Sequence, residues 1–394
     1  MRFLAPLDDD DYRALRRRAI FECCKWDPQV GDTETIARFP LVISSSTWEV
    51  LAHMAESLDR ETRAMETALT ERPDLMRALA LPRGVRAALA PTRGVLRRRR
   101  ADALTPGVAR VSRYDFHPVR GGFALSEVNS DVPGGYVEAS GISALMSEAT
   151  GLKMVGDPAG ALVDAFARAV DGGPIALAHA TAYVDDAQQM EFLSRRFAEQ
   201  GIEARACAPD RVDDDARALF RFFPAEWLLN LSDRPRAERW FRGGRAVSNP
   251  GQAILVQSKR LPLVFDALDV EVPTWRRLLP ETRSPRALTR AERASGEWVT
   301  KPALGRVGEG IAVAGVVEER LRARIERASR RAPAHFVVQR RFDSLPVDSA
   351  TGPLHVCIGV YTVDGRASGA YGRVSPRALI DHLAVDVAVL LEAS

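Results

Sequence analysis

The most constraining feature of the sequence is the stretch SRYDFHPVRGGFALSEVNSD at positions 112–131. It reads as two short strands around a Pro/Gly turn, and its polar residues Arg113, Asp115, Glu127 and Asn129 all occupy odd-numbered positions. Because alternate residues of a strand share a face, these side chains are predicted to project from one face of an antiparallel hairpin.

The predicted register of this hairpin places Arg113 opposite Glu127. Leu125 has the same parity as Glu127 and is therefore expected on the polar face. The other face would carry Tyr114, Phe116, Ala124 and Val128. A slip of one residue would exchange the two faces.

The polar face of the hairpin suits a divalent cation. Two carboxylates and an amide oxygen repel one another unless a cation joins them, and hard oxygen ligands suit Mg²⁺. Asp115, Glu127 and Asn129 are therefore candidate metal ligands, and Arg113 would neutralise charge on a transferred phosphoryl group. The alternative is a surface hairpin with exposed ion pairs, each contributing about 0 to 1 kcal/mol. The hairpin alone leaves both interpretations open.

A glycine-rich segment, GRVGEG, spans Gly305 to Gly310. The segments 298–304 and 311–316 both read as strands, so the glycines are predicted to join strand to strand. A Walker or Rossmann loop would instead open a helix. Such a hairpin can still cover phosphates, because its backbone amides approach an anion closely. The alternative is an ordinary Gly-rich hairpin.

Lysine is scarce in this chain: Lys25, Lys153, Lys259 and Lys301 are its only lysines, and arginine supplies the other basic residues. A retained lysine is a candidate for a role that needs a compact ammonium group. Lys301 lies in the predicted strand before the glycines. Lys259 lies near the middle of a helix predicted for AILVQSKRLPLVFDAL.

The rest of the chain alternates between helical and strand patterns. A capping box at Ser46–Glu49 predicts a helix that continues to Leu69. Further predictions are a helix at 136–149 and a βαβ unit with strands at 174–180 and 202–209 around a helix at 185–200. A strand is predicted to end at Gln339, and a hairpin is predicted to turn at Asp364–Gly365 and to place Arg373 at a strand terminus. The βαβ unit lacks a GxGxxG turn, which disfavours dinucleotide binding.

Composition excludes several classes of protein. No apolar run approaches the roughly 20 residues of a membrane span, so no membrane partner is expected. The four cysteines show no CxxC spacing and the six histidines no HExxH spacing, which argues for a reducing, cytoplasmic location without a zinc site. The run Arg97–Arg100 has no interleaved aromatic residues, so we interpret it as a solvated helix end or loop rather than a specific nucleic-acid site.

Several of these segments together resemble the glutathionylspermidine synthetase-type ATP-grasp ligases, the circularly permuted branch of that fold. RYDF and EVNSDVP resemble the family's R-x-D-F and E-x-N-x-x-x-P segments, and VTKPALGRVGEG resembles its V-x-K-P-x-x-G-R-x-G lid. FFPAEWLL, NPGQAILVQSK and YGRVSP resemble its Y-P-x-E-W, S-N-K and G-x-R elements. The carboxylates precede the lysines, as a circular permutation predicts. Ser258-Lys259 departs from the family's N-K, and the segment 132–136 also differs.

The resemblance implies an α+β, circularly permuted ATP-grasp fold with a small Rossmann-like α/β subdomain. Residues 1–155 would contain the metal-binding half, 156–248 the Rossmann-like subdomain, and 249–394 the ATP-binding lid and the return to the core. The implied site has Asp115, Glu127 and Asn129 on Mg²⁺, Arg113 and Arg373 at the reacting centre, and Lys259, Lys301, Gly305, Arg306, Val307, Gly308, Gln339, Arg340 and Phe342 around ATP.

The implied activity is an ATP- and Mg-dependent ligation of a carboxylate to an amine through an acylphosphate, with ADP as a product. The partners would be a small-molecule or peptide carboxylate and an amine. The alternative is a catalytically silent ATP-grasp module that binds a nucleotide or a partner protein. The sequence does not fix the oligomeric state, and a homodimer is one candidate.

Overall fold

A computed structural model describes residues 1–30, 33–89, 109–170, 172–231, 246–305 and 308–393. Two features of the sequence lie outside these ranges: the run Arg97–Arg100, and Arg306 and Val307 of the glycine-rich segment.

The helices are distributed along the whole described chain. They are α1 (Asp9–Phe21), α2 (Ser45–Thr70), α3 (Pro73–Met76), α4 (Arg83–Leu89), α5 (Ser143–Thr150), α6 (Pro158–Ala169), α7 (Val184–Glu199), α8 (Ile254–Gln257), α9 (Pro273–Leu278), α10 (Arg290–Ala294) and α11 (Glu319–Arg331). A π-helical segment, Val137–Ile142, leads into α5, and shorter 3-10 segments lie at Arg77–Leu79, Leu228–Asn230, Gly251–Ala253, Leu261–Ala267, Pro285–Ala287 and Pro333–His335.

The strands form several sheets. They are β1 (Arg2–Phe3), β2 (Gln29–Val30), β3 (Thr33–Glu34), β4 (Leu41–Ile43), β5 (Val111–Val119), β6 (Gly122–Asn129), β7 (Lys153–Met154), β8 (Ile175–His179), β9 (Ala204–Cys207), β10 (Ala218–Phe222), β11 (Ala246–Ser248), β12 (Thr282–Arg283), β13 (Trp298–Pro302), β14 (Phe336–Arg340), β15 (Pro346–Ser349), β16 (Gly352–Val363), β17 (Arg366–Ser375), β18 (Val385–Val387) and β19 (Val389–Leu391). The protein is therefore a mixed α+β structure.

The largest sheet of the described chain has six strands, in the order β18-β17-β16-β5-β6 with β15 paired to β16. Its β16–β17 hairpin turns at Asp364 and Gly365 as predicted, and both residues have positive φ (50° and 84°), as a two-residue hairpin turn requires. The long helix α2 packs on one face of this sheet, where Leu58 and Met65 share a core with Tyr114 and Phe116. On the other face, Tyr361 and Tyr371 pack in a second core, and part of this face, including Arg113 and Arg373, lines a cavity.

The hairpin predicted at 112–131 is confirmed as β5 and β6, but its register was predicted wrongly. Arg113 lies opposite Asn129, and Asp115 lies opposite Glu127. The pairing then shifts between Asp115 and Phe116, so that Ser126 is an extra residue on β6. The tight turn and this bulge together displace the pairing by two residues, which preserves the parity of the polar positions.

The bulge also corrects the predicted place of Leu125. It pairs with Phe116 and is fully buried in the same core as Phe116 and Val128. Alternation placed Leu125 beside Glu127, but one extra residue moves every side chain before it to the opposite face.

Helix α2 confirms the helix that was predicted from its capping box, with a different cap. Ser44, not Ser46, is the N-cap residue, and its hydroxyl accepts the backbone N–H of Thr47 at 3.1 Å. The sequence has Ser44, Ser45 and Ser46 in a row, and any of them satisfies the preference for a short hydroxyl side chain at this position.

The βαβ unit predicted after residue 174 is present. Strand β8, helix α7 and strand β9 follow one another, and the two strands pair in parallel within a sheet of order β11-β10-β8-β9. The helix predicted at 136–149 is present too, as the π-helical segment and α5.

The helix predicted around Lys259 is wrong. Helix α8 ends at Gln257, Ser258 is extended, and a 3-10 segment begins at Leu261. A continuous helix would need the N–H of residue 262 to bond the carbonyl of Ser258, and Pro262 has no N–H. Leu261 N–H bonds that carbonyl instead, at 2.9 Å.

The strand predicted at 311–316 is also wrong. Strand β13 precedes the glycines as predicted, but the returning segment contacts it through a single bridge between Thr300 and Ala312. Gly315 has a φ of 72°, and the N–H groups of Val316 and Val317 both turn back to the carbonyl of Val313. The apolar run therefore closes on itself as a turn.

No helix within the described ranges is long and apolar enough to cross a membrane.

Candidate active site

A cavity of about 560 Å³ lies where the exposed face of the β5–β6 hairpin meets β13 and β14. Most of the residues predicted for the site line it: Arg113, Asp115, Glu127, Asn129, Lys301, Gly308, Gln339, Arg340, Phe342 and Arg373. Lys259 and Gly305 lie just behind this lining, and Arg306 and Val307 are outside the described residues.

Asp115 is held by a guanidinium and an amide on the hairpin. Arg113 donates to both of its carboxylate oxygens, at 2.7 and 2.9 Å, and Asn129 Nδ2 donates to Oδ2 at 3.1 Å. Burial alone would lower the pKa of Arg113, but the Asp115 carboxylate raises it well above its usual value. Arg113 also donates to the carbonyl of Gly134 at 2.8 Å, which fixes the loop after β6.

Glu127 joins the hairpin to the lysine segment. Lys259 Nζ lies 2.9 Å from Glu127 Oε2 and donates to the carbonyl of Gly305 at 2.7 Å. Burial would raise the pKa of Glu127, but the ammonium groups of Lys259 and Lys301 overcome this effect and lower it to about 2. The Glu127 carboxylate is therefore ionised at neutral pH and tied to the base of the glycine-rich segment.

Lys301 and Gln339 lie on neighbouring strands, β13 and β14. Lys301 Nζ donates to Gln339 Oε1 at 2.6 Å, and Gln339 Nε2 donates to Thr282 Oγ1 at 3.0 Å. Burial lowers the pKa of Lys301 to about 8, even though Glu127 favours the charged form. The ammonium group is therefore weakly solvated, as a group that binds phosphate in a closed cavity would be.

The metal ligands predicted from the sequence come together. Among the described residues, no three His, Cys, Asp or Glu side chains form a cluster that could hold a metal ion. Asp115 and Glu127 are nevertheless directly opposite on paired strands, with Asn129 two residues further along β6. Two carboxylates and one amide oxygen fit a hard cation that keeps some of its waters, so the donor set fits Mg²⁺.

Arg373 enters the cavity from β17, opposite Asp386 on β18. Its Nη2 donates to the carbonyl of Asp381 at 2.6 Å, and its Nε lies 3.7 Å from Asp386 Oδ1. The guanidinium of Arg113 lies over the ring of Tyr371, which is on β17 like Arg373, at 5.1 Å from the ring centre. The two arginines therefore share one region of the cavity.

Sequence reasoning missed an acidic wall that surrounds Lys25 at another part of the cavity. Lys25 Nζ lies 2.8 Å from Glu138, 3.5 Å from Asp27 and 3.8 Å from Asp386. Burial raises the pKa of Asp386 to about 6, although Lys25 opposes this effect. The signal available in the sequence was the scarcity of lysine, which marked Lys25 without indicating its partners.

The opposite part of the cavity is aromatic. The rings of His117 and Phe342 lie 5.2 Å apart between their centres, and both residues line the cavity. Burial lowers the pKa of His117 to about 4, and Lys301 contributes to the shift. His117 is therefore neutral at physiological pH and offers a flat, uncharged surface.

The chain is similar in fold to a protein of known structure. The chain resembles a glutathione synthetase-like effector from Globodera pallida, with a TM-score of 0.61, 10% identity and 98% of each chain covered. This likeness shows that the chain has the fold of a glutathione synthetase-like protein. A protein named as a gamma-glutamylcysteine synthetase from Methylobacillus flagellatus gives a TM-score of 0.41 at 12% identity, over 86% of this chain and 84% of that one, which is too low to support an argument.

The family follows from the sequence. Residues 43–391 match the family model described as glutathionylspermidine synthase preATP-grasp. The chain belongs to this family. No curated protein sequence matches the chain.

Proposed function

We propose that the protein is an ATP- and Mg-dependent ligase that joins a carboxylate to an amine through an acylphosphate. The observation that carries this proposal is the single cavity shared by the carboxylate face of the β5–β6 hairpin and the buried lysine Lys301. Anionic and cationic groups on facing walls are what a bridged metal and nucleotide phosphate require.

The proposed nucleotide site runs along β13 and β14. Lys301 and Lys259 would bind the phosphates, since both ammonium groups act on Glu127 and Lys259 also contacts the carbonyl of Gly305. Gly305 to Gly308 would close over the phosphates as a lid. Gln339, Arg340 and Phe342 would line the adenine pocket at the end of β14.

The proposed metal site uses Asp115, Glu127 and Asn129. Bound Mg²⁺ would supply charge neutralisation for the transferred phosphoryl group. Arg113 contacts Asp115 at 2.7 Å and Lys259 contacts Glu127 at 2.9 Å, and the lowered pKa of Glu127 keeps that carboxylate ionised for this role.

The proposed chemistry needs no protein nucleophile. A carboxylate oxygen of the acid attacks the γ-phosphorus and ADP leaves. The amine nitrogen then attacks the acyl carbon, loses a proton, and phosphate leaves. Arg113 and Arg373 would stabilise the negative charge of both steps. The acidic wall of Asp27, Glu138 and Asp386 would receive the amine.

The order of the residues supports a circularly permuted ATP-grasp fold, because the carboxylates of β5 and β6 precede both lysines in the chain. We propose the boundaries 1–155, 156–248 and 249–394 for its parts, with the parallel sheet β11-β10-β8-β9 as the Rossmann-like subdomain.

The proposal is tested by measuring ADP release over a matrix of carboxylates and amines, with mass spectrometry of the products. We expect Mg-dependent ADP release and an amide product for at least one pair. ATP binding without ADP release across the matrix would favour the silent module instead.

A further inference from the structure

The loop that follows strand β6 of the hairpin is fixed by hydrogen bonds from several segments of the chain. The carbonyl of Ser130 accepts hydrogen bonds from Arg110 at 2.8 Å and from Asn249 at 3.0 Å, and its hydroxyl donates to the carbonyl of Ala253 at 3.0 Å. The carboxylate of Asp131 is fully buried and lies 2.7 Å from Arg221. The backbone at 130–131 is therefore a fixed frame beside Asn129.

Gln257, the last residue of α8, contacts this frame. Its side-chain oxygen Oε1 accepts the backbone N–H of Ser130 at 2.8 Å and the backbone N–H of Asp131 at 3.0 Å. Two N–H donors can be satisfied only by the oxygen of an amide, so they also fix which end of the side chain is the nitrogen. The orientation of the Gln257 amide is therefore determined by the backbone.

The NH₂ group of Gln257 has a different environment. Gln257 is half-buried and lines the cavity. Within the described ranges, its Nε2 donates no hydrogen bond, and it is not one of the buried polar atoms without a partner. The fixed amide thus leaves two N–H donors without an acceptor among the described residues, on a residue that lines the cavity beside the strand carrying Glu127 and Asn129.

We propose that Gln257 is a substrate-binding residue whose NH₂ group donates to an anionic oxygen of the carboxylate substrate. This inference rests on the proposed ligase function. A preoriented donor suits an oxygen anion, because the amide does not have to lose a partner or rotate when the substrate arrives. The acidic wall around Lys25 is chemically unsuited to a carboxylate, so the acid is expected at the Gln257 end of the cavity.

The substitution Gln257→Glu separates donation from positioning. Glutamate has nearly the same shape and keeps an acceptor for the two backbone N–H groups, but it replaces the NH₂ group by an oxygen. Gln257→Met removes both interactions. Gln252→Glu is a matched control, since it adds the same charge one and a half turns earlier at a residue that does not line the cavity.

The test uses the full chain and direct binding of acetate, L-glutamate and glutathione, measured by calorimetry with Mg-ATP binding measured in parallel. We expect the wild type and Gln252→Glu to bind at least one of these carboxylates. We expect Gln257→Glu to bind it at least about tenfold more weakly, from the loss of one hydrogen bond to a charged group and the added repulsion. Its midpoint of urea unfolding should stay close to that of the wild type, because the carboxylate still accepts the two backbone N–H groups.

Equal carboxylate affinity of Gln257→Glu and the wild type would overturn the inference and leave Gln257 with a positioning role only. Failure of the wild type to bind any of the three carboxylates would overturn it too. Failure of the wild type to bind Mg-ATP would instead contradict the proposed function, so the two failures are distinguishable.

Discussion

Glu127 is the residue whose contacts connect the two walls of the cavity. It pairs with Lys259 at 2.9 Å, and its charge acts on Lys301 from across the cavity. The sequence predicted the type of both partners, since carboxylates on a strand face and rare lysines are visible as patterns. The sequence could not predict which lysine would form the ion pair with Glu127, because the position of Lys259 depends on where helix α8 ends, at Gln257.

The lowered pKa of Lys301 predicts that ATP binding depends on pH. Burial lowers its pKa to about 8, so its ammonium group is present below this pH and is lost above it. We expect the Mg-ATP affinity to fall as the pH rises from 7 to 9.5, and calorimetry at several pH values measures this change. In Lys301→Arg the side chain stays charged over the whole range, and a decrease of the same size in that variant would contradict the explanation.

The Lys25 side chain gives a prediction of stability. It is the cation among Glu138, Asp27 and Asp386, and Lys25→Met leaves the buried Glu138 carboxylate without its partner and the two half-buried aspartates without a nearby cation. We expect a loss of about 3–5 kcal/mol in the free energy of unfolding, as for a broken buried ion pair. Lys153→Met, at an exposed lysine, is the control, and equal stability of the two variants would refute the role of Lys25.

Among the elements, the strands of the two hairpins and of the βαβ unit were predicted correctly, whereas the strand at 311–316 and the helix around Lys259 were not. Period-two alternation identified β5 and β6, because this hairpin has an apolar core face and a polar cavity face. The Asp364–Gly365 turn identified the β16–β17 hairpin, which packs against a core on each side. The bulge at Ser126 leaves no signal in composition, so the register was displaced. The helix was predicted wrongly around Lys259 because the apolar periodicity of the segment favoured a helix, although Pro262 has no N–H to continue it.

The bulge at Ser126 predicts that Leu125 contributes to the stability of the core. Its side chain is fully buried in the core that contains Tyr114 and Phe116, whereas simple alternation would place it beside Glu127 in the cavity. We expect Leu125→Ala to reduce the free energy of unfolding by about 2–5 kcal/mol, as for other large-to-small substitutions in a core. Urea denaturation measures the effect. A loss below about 1 kcal/mol would favour the unbulged register.

At the scale of the whole molecule, distant segments build one cavity. Strand β5 from the first half of the chain pairs with β16 from near its end. Strand β14, which lies between these two strands in the sequence, supplies Gln339. The resemblance predicted this assembly from the order of motifs, and family membership over residues 43–391 supports it. The acidic wall and the orientation of Gln257 were beyond reach of the sequence, because both depend on contacts between segments more than 100 residues apart.

We propose that Asp115, Glu127 and Asn129 form one Mg-ATP site with Lys259 and Lys301. Calorimetry of ATP binding to the wild type and to Glu127→Gln, each with Mg²⁺ and with EDTA, tests this site. We expect ATP binding to the wild type that depends on Mg²⁺, and at least about a tenfold loss of this binding in Glu127→Gln, since the neutral amide is a weaker ligand for a hard cation. Binding that is equal in Mg²⁺ and EDTA, or equal in the two proteins, would rule out a Mg-ATP site built from these residues.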